Sequence, residues 1–213
     1  MKPLVTATPS AWTSHALRDP AALLLDQLQC EMKATTIALS VIAKNAQIPQ
    51  LVAPMLEIAH EEMAHYRLVH ELAVRRGWHP EPITGSPYMS ELRRRAGQGP
   101  HHALLDRLLL SALIEVRSCE RFHLLARAAA DPELGALFQG LVAAEARHCT
   151  RYVELAEQLY PPRMAQARLA TLAELESTIL SELPPTSRMH SGWQGLPAAT
   201  PTPSVDTAAG GPV

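Results

Sequence analysis

The chain has 213 residues, enough for one domain with a substantial core, and its few aromatic residues (4%) favour helices packed on helices. Its formal net charge of −2 at pH 7 excludes a globally basic nucleic-acid-binding protein, so any such binding must use a local basic patch. Three cysteines without a Cys-x-x-Cys pair argue against a disulfide framework or a zinc ribbon, and no apolar run approaches the ~20 residues of a membrane span. We therefore expect a cytoplasmic protein that does not enter a membrane.

The first predicted helix follows an irregular segment, residues 1–18. It begins at Asp19-Pro20, an N-cap followed by proline at the first helical position, and runs to about Asn45. Glu31 lies in the middle of its apolar stripe, where a charge costs free energy unless it is paired or bound to a metal. The alternative is a glutamate at the edge of the stripe that reaches water. The apolar positions of the stripe are Leu24, Leu28, Thr35, Ala38 and Ile42.

The second predicted helix runs from about Gln50 to Arg76 and ends at Gly77, a residue type that commonly terminates helices. Glu62 and His65 are three residues apart, so their side chains point the same way on a helix. Apolar residues share that face: Leu51, Met55, Ile58, Val69 and Ala73.

Residues 77–100 are rich in glycine and proline and form a long connection. A short helix is predicted from Ser86-Pro87 to the run Arg93-Arg94-Arg95. A loop of this length is uncommon inside a compact domain unless it has a task. Ferritin-like bundles need one long crossover between their second and third helices, and this segment is long enough to supply it.

The third predicted helix runs from about His102 to Ala130. Two acids, Glu115 and Glu120, border its apolar face. Either one is a candidate partner for the carboxylates of the other helices.

The fourth predicted helix begins at Asp131-Pro132 and ends near Tyr160, before two prolines. It repeats the pattern of the second helix, because Glu145 and His148 are again three residues apart on an apolar face. One Glu-x-x-His pair is weak evidence for a metal site, since both residue types are common on exposed helix faces.

A fifth amphipathic helix is predicted from Met164 to Glu182. The composition then changes to proline, glycine, serine, threonine and alanine. We interpret residues 1–183 as one domain and residues 184–213 as a disordered tail.

The spacing of the acids indicates a hidden duplication. Glu31 and Glu62 are separated by 31 residues (62 − 31), and Glu115 and Glu145 by 30 (145 − 115), with a predicted turn at both midpoints. Residues equidistant from the turn of an antiparallel hairpin lie side by side, so each hairpin brings a lone glutamate level with its Glu-x-x-His pair. Glu120 also gives a midpoint inside a turn, and it remains an alternative ligand or a residue that supports the site from outside.

Four carboxylates and two imidazoles at one level of a bundle form a dimetal site. Oxygen-rich ligands with two imidazoles suit iron or manganese, whereas structural zinc prefers thiolates. The pattern predicts an all-α, ferritin-like four-helix bundle with a fifth C-terminal helix. Such a site can activate O2 to attack C–H bonds, or it can oxidise Fe(II) for storage. The remaining alternative is a helical scaffold that binds no metal.

Four segments resemble the tRNA hydroxylases that act on 2-methylthio-N6-isopentenyl-adenosine. The resemblance extends over roughly residues 4–160, and the run Glu-x-Arg-Ser-Cys-Glu-Arg-Phe is its most specific part. Generic ferritins and rubrerythrins lack that run. The four segments are Cys30–Thr35, Glu61–His65, Ile114–Phe122 and Glu145–His148.

The resemblance implies a ferritin-like, non-haem di-iron monooxygenase that hydroxylates the isopentenyl group of this adenosine next to the tRNA anticodon. It implies two iron ions, O2 as co-substrate and an external electron donor, with no catalytic residue beyond the metal ligands. A ferritin-like iron-oxidising or storage protein, or another di-iron oxidase, remains the alternative. The residues that match the metal-ligand pattern of the family are Glu31, Glu62, His65, Glu115, Glu145 and His148.

The resemblance also implies two partners, the anticodon loop of tRNA and an electron-transfer protein. The residues identify neither that electron-transfer protein nor an oligomeric state. Basic side chains near two predicted helix ends are candidates for phosphate contacts, although a solvated charge run explains them equally well. These side chains are Arg75, Arg76, Arg93, Arg94 and Arg95.

Overall fold

A computed structural model describes residues 4–80, 86–97 and 103–197, and the regular structure in those ranges is entirely α-helical. The all-α prediction is therefore confirmed. The helices are α1 (Ser10–Ala16), α2 (Pro20–Lys44), α3 (Pro49–Arg75), α4 (Pro87–Ala96), α5 (Ala103–Ala128), α6 (Pro132–Leu159) and α7 (Pro162–Glu182).

Two antiparallel hairpins, α2–α3 and α5–α6, form the bundle. The long connection between α3 and α5 contains α4, and α7 packs against α4, α5 and α6. This arrangement is the predicted four-helix bundle with one long crossover and a fifth helix at its side. No helix in the described ranges is long and apolar enough to span a membrane.

Local sequence signals place the starts of α2 and α6. The Asp19 side chain accepts a hydrogen bond from the Ala22 amide (3.0 Å), and Pro20 follows at the first helical position. Asp131 repeats the arrangement at the start of α6, where its carboxylate accepts from the Glu133 amide (3.0 Å). Both caps fix where a helix begins, and the cap at Asp131, which lies in the α5–α6 turn, also helps to set which side chains lie level in that hairpin.

Two apolar clusters lie on either side of a polar layer in the bundle, and a third, around Tyr88, Leu92 and Ile179, lies between α4 and α7. Of the two bundle clusters, one surrounds Leu51, Leu109 and Tyr152, and the other surrounds Trp12, Leu24 and Phe138. In each bundle helix, the predicted metal-site residues fall between the positions that enter one cluster and those that enter the other. Each polar side chain is consequently shielded from water at both ends of the bundle.

The N-terminal segment is more regular than its sequence predicts. Residues 10–16 form α1, and Trp12 is fully buried in the core. Its Nε1 donates a hydrogen bond to Ser191 Oγ (2.9 Å). A single tryptophan with a buried partner thus orders a stretch that has no helical periodicity of its own.

Residues 184–197, which were predicted to be disordered, pack against the bundle. Met189 is fully buried and Trp193 is only 7% exposed, while the Trp193 amide donates to the Leu180 carbonyl (2.9 Å). The low-complexity composition of the tail masks two large apolar side chains whose burial offsets the cost of ordering this segment. Residues 198–213, the rest of the predicted tail, lie outside the described residues.

Candidate metal centre

The six residues with the predicted ligand pattern meet in the polar layer between the two apolar clusters. None of them is more than 9% exposed. They form two groups of four whose possible ligand atoms lie within 4.8 Å of one another, and Glu62 and Glu145 belong to both groups. Glu31 and His65 complete one group, and Glu115 and His148 complete the other.

Both imidazoles turn the same nitrogen toward the carboxylates. His65 Nδ1 lies 3.5 Å from Glu62 Oε2 and 3.7 Å from Glu31 Oε2. His148 Nδ1 lies 2.8 Å from Glu62 Oε1, but the two atoms are not aligned as a hydrogen bond. Both Nδ1 atoms and Glu62 Oε1 are buried without a hydrogen-bond partner in the described structure. Buried polar atoms rarely lack such partners, so their convergence here fits metal coordination.

The electrostatics of the protein side chains alone are unfavourable. Burial raises the pKa of Glu31 and Glu145 well above the usual range and the pKa of Glu115 to about 7. Burial acts in the same direction on Glu62, but its close contacts with the imidazoles of His148 and His65 outweigh burial and lower its pKa. Four carboxylates cannot all be charged here unless cations neutralise them. Two divalent cations have the required charge, and the donor set suits iron.

Two residues that the sequence analysis missed hold the ligands in place. Gln27 Nε2 donates to Glu31 Oε1 (2.6 Å) from one turn earlier in α2. The Glu61 carboxylate lies 3.1 Å from His148 Nε2 and accepts a hydrogen bond from Arg147 (2.9 Å). With a metal held by Nδ1, the Nε2–H group of His148 would donate a hydrogen bond to Glu61, and this contact would fix the ring orientation. The signal for Glu61 is its position directly before Glu62.

The structure separates the two candidate acids of the third bundle helix. Glu115 lies in the carboxylate layer. Glu120 instead accepts hydrogen bonds from the Thr8 amide (2.9 Å), the Thr8 hydroxyl (2.6 Å) and Arg117 (2.6 Å). It therefore ties the N-terminal segment to α5 and takes no part in either group of four.

The five arginines predicted to contact tRNA do not form one patch. Arg75 and Arg76 lie at the end of the bundle that contains the α5–α6 turn, where they pair with Asp131 and Glu133.

The other three arginines lie on α4, whose C-terminal end is at the opposite end of the bundle. Arg168 links the Ala96 carbonyl there to Asp106 in the first turn of α5. Arg94 and Arg95 bond to Glu91, whereas Arg93 has no acidic partner among the described residues.

A further residue near the centre comes from the segment predicted to be a tail. His190 is buried, its ring stacks on Tyr88 (centroids 5.0 Å apart), and its Nε2 lies 3.2 Å from Ser118 Oγ. Burial, and the positive charges of Arg121 and Arg117, lower the pKa of His190 to about 3, so the imidazole is neutral. It lines a cavity of about 40 Å³ that also contacts Glu115. The composition of the C-terminal segment does not predict a buried histidine beside the candidate metal centre.

The chain is similar to several known proteins. Residues 1–191 match the family described as tRNA-(ms2io6A)-hydroxylase (MiaE). A protein of Pseudomonas putida named tRNA 2-(methylsulfanyl)-N(6)-isopentenyladenosine(37) hydroxylase is 39% identical, with 87% of this chain and 90% of the relative covered. A protein of the same name from Salmonella typhimurium is 28% identical, with 90% and 87% covered.

A solved structure is also similar to this chain. It is described as protein 43 with aldehyde deformylating oxygenase activity from Synechococcus. The two chains are 35% identical and superpose with a TM-score of 0.85, with 90% of this chain and 97% of the other covered.

Proposed function

The chain belongs to the tRNA-(ms2io6A)-hydroxylase (MiaE) family, and from this premise we propose the reaction that its buried centre performs. It is an O2-dependent, non-haem di-iron monooxygenase. It hydroxylates the isopentenyl group of 2-methylthio-N6-isopentenyl-adenosine next to the anticodon of tRNA.

The observation that carries this proposal is the pair of four-residue groups that share two carboxylates. Glu62 and Glu145 belong to both groups, so each would help to hold both ions. Glu31 and His65 would hold one ion, and Glu115 and His148 the other. Two irons held there would supply the redox chemistry that activates O2 for insertion into an allylic C–H bond of the isopentenyl group.

The protein's own residues prepare the site for that chemistry. Apolar clusters on both sides of the layer exclude water, which strengthens every electrostatic contact inside it. Glu61 fixes the ring of His148, and Gln27 fixes Glu31 through short hydrogen bonds. The substrate base must leave the stack of the anticodon loop, which costs less free energy in a loop than in a duplex.

Hydroxylation also sets the requirement for a donor. One oxygen atom of O2 enters the alcohol and the other leaves as water, so an external protein or small molecule must supply two electrons and two protons. A tRNA substrate also fits the cytoplasmic location expected from the sequence.

Nucleoside mass spectrometry of cellular tRNA tests this function. We expect cells that lack the protein to accumulate the isopentenyl nucleoside and cells that regain it to show a gain of one oxygen atom. Cells that regain a Glu62→Ala variant serve as the control and should not show the gain. Restored protein that leaves the nucleoside mass unchanged contradicts the proposal.

The similarity to the Synechococcus protein favours a second candidate, oxidative deformylation of an aldehyde. The same groups of carboxylates and imidazoles suit that reaction. Formate release from an aliphatic aldehyde, measured with iron-loaded protein and a reductant, distinguishes the two. We expect hydroxylation of tRNA to proceed and formate to stay at the level of the Glu62→Ala control.

A further inference from the structure

A cavity of about 450 Å³ lies between α2, α4 and α5, toward the end of the bundle where α5 begins. Its inner walls are apolar and include Ile37, Leu92, Leu110 and Ile114. A cavity of this volume, with apolar walls and a few polar groups, has the dimensions of a binding site for a small organic molecule or a single nucleoside.

The cavity leads toward the metal centre. The smaller cavity of about 40 Å³ shares four lining residues with it, namely Ile37, Met89, Ser111 and Ile114. Glu115, one of the six candidate ligands, lines the smaller cavity. These four side chains border both cavities, so a thin apolar chain that passes between them from the larger cavity would point toward the centre.

Three cations line the larger cavity: Lys44, Arg93 and Arg107. None has an acidic partner within 4.0 Å among residues 4–80, 86–97 and 103–197. Asp106 also lines the cavity, but Arg168 already neutralises it through two hydrogen bonds of 2.7 and 2.8 Å. Burial and the nearby charge of Arg93 lower the pKa of Arg107. Unpaired like charges beside a cavity are a suitable site for the phosphates of a nucleic acid.

The distances along α5 suit a nucleotide. Arg107 precedes Glu115 by eight residues (115 − 107), which is about 12 Å along a helix axis. That length is comparable with the reach from the phosphate of a nucleotide to the far end of a prenyl group on its base.

We propose that this cavity admits the prenylated adenosine of the anticodon loop, with the prenyl chain directed between Ile37 and Ile114 toward Glu115. Lys44, Arg93 and Arg107 bind the neighbouring phosphates. The proposal rests on the tRNA substrate of the proposed function and adds where that substrate enters. Of the five arginines considered from the sequence, only Arg93 belongs to this site.

Binding of two fluorescent anticodon stem-loop RNAs to the full-length protein tests the proposal without any turnover. One RNA carries 2-methylthio-N6-isopentenyl-adenosine and the other an unmodified adenosine. Ile37→Trp narrows the passage, and we expect it to reduce the preference for the prenylated RNA by tenfold or more, because the apolar chain loses its burial. The matched control is Leu39→Trp on the exposed side of the same helix (48% exposed), which should retain the wild-type preference.

The phosphate contacts have a separate readout. Arg93→Ala combined with Arg107→Ala should weaken binding of both RNAs equally and reduce the slope of log affinity against log salt by about 1.4, roughly 0.7 for each lost contact to a single strand. Arg75→Ala combined with Arg76→Ala, at the opposite end of the bundle, should leave both affinities unchanged. Thermal unfolding of each variant verifies that it is folded.

The possible outcomes separate this inference from the proposed function. The inference is overturned when Ile37→Trp keeps the preference for the prenylated RNA, when the Arg75/Arg76 variant weakens binding as much as the Arg93/Arg107 variant, or when the wild-type protein binds neither RNA. The proposed function fails on a different measurement, the mass of the nucleoside in cells. A protein that hydroxylates tRNA but binds it elsewhere refutes only the entry site.

Discussion

The hairpins α2–α3 and α5–α6 carry the same types of candidate ligand in the same order, but their surroundings differ. Each has a glutamate on its first helix and a Glu-x-x-His pair on its second. The hairpin α5–α6 is covered by α7 and α1. The outer side of α2–α3 instead exposes apolar side chains to solvent: Met32, Leu39, Leu56 and Met63.

The residues around the ligands differ in the same way. Glu61 precedes Glu62 and contacts His148. The equivalent position before Glu145 is Ala144, whose methyl group cannot form a hydrogen bond with His65. Two residues after Glu31 stands the half-buried Lys33, and two residues after Glu115 stands the fully buried Arg117. The duplication therefore includes the candidate ligands but not the neighbouring residues that contact them.

The largest expected difference between the hairpins is at these two cations. Arg117 forms two hydrogen bonds of 2.8 Å with the buried Glu176, so Arg117→Leu leaves an unpaired buried carboxylate. We expect a loss of about 3–5 kcal/mol in the free energy of unfolding. Lys33→Leu should cost well under 1 kcal/mol, since Lys33 has no ion pair in the described structure. Urea unfolding measures both, and equal effects would contradict the difference.

The next effect concerns the asymmetry between Glu61 and Ala144. Glu61→Gln weakens the acceptor of His148 Nε2–H, and we expect about 10- to 100-fold weaker metal binding. Glu57→Gln, one turn earlier on α3, is the matched control and should bind metal as the wild type does. Competition with a metal chelator measures the affinities. Unchanged affinity in Glu61→Gln would show that His148 needs no such support.

A smaller effect concerns the C-terminal segment that connects the hairpins. The pKa of His190 is lowered from its usual value of 6.5 to about 3. As the pH falls from 6.5 toward 3, His190 therefore becomes protonated in the unfolded chain but stays neutral in the folded chain. Stability is therefore lost toward acid, by at most about 1.4 kcal/mol per pH unit from this group.

His190→Gln should flatten that dependence, and His123→Gln, an exposed histidine on α5, should not. Urea unfolding at several pH values below about 7 measures the slopes. Parallel slopes in both variants and the wild type would contradict the neutral, buried state of His190.

The smallest effect is expected on the exposed side of α2–α3. Leu39→Gln and Met63→Gln remove apolar groups that are 48% and 45% exposed, so each should change the free energy of unfolding by less than about 0.5 kcal/mol. A matched substitution in the core, Leu109→Gln, should be far more destabilising. A large loss in Leu39→Gln would mean that another chain or molecule covers this face in solution.

The convergence of the six candidate ligands could be predicted because it depends on two regular features. Helical periodicity places Glu62 with His65 and Glu145 with His148 on one face, and the turn positions set which residues lie level. Both features follow from local signals such as the caps at Asp19 and Asp131.

The sequence alone does not decide whether Glu115 or Glu120 belongs to the carboxylate layer, because both border the apolar face of α5. It depends on Thr8 and Arg117, whose contacts with Glu120 join segments far apart in the chain. The role of residues 184–197 could not be predicted either, because their order comes from the burial of Met189 and Trp193 against other helices.

The five arginines do not form the predicted basic patch, and the reason is the path of the chain. Arg76 and Arg93 are close in the sequence, but the crossover carries the chain from one end of the bundle to the other between them. Arg107 lies near Arg93 in the structure, but the sequence does not indicate this because Arg107 is on the following helix. Sequence proximity indicates a shared surface only within one element.

The iron content of the purified, anaerobically loaded protein tests the central claim most directly. The account predicts two iron ions per chain in the wild type, two in Glu120→Ala, and a clear loss in Glu115→Ala, because only Glu115 lies in the carboxylate layer. A wild-type protein that binds no iron, or a Glu120→Ala variant that loses iron while Glu115→Ala retains it, would contradict the account.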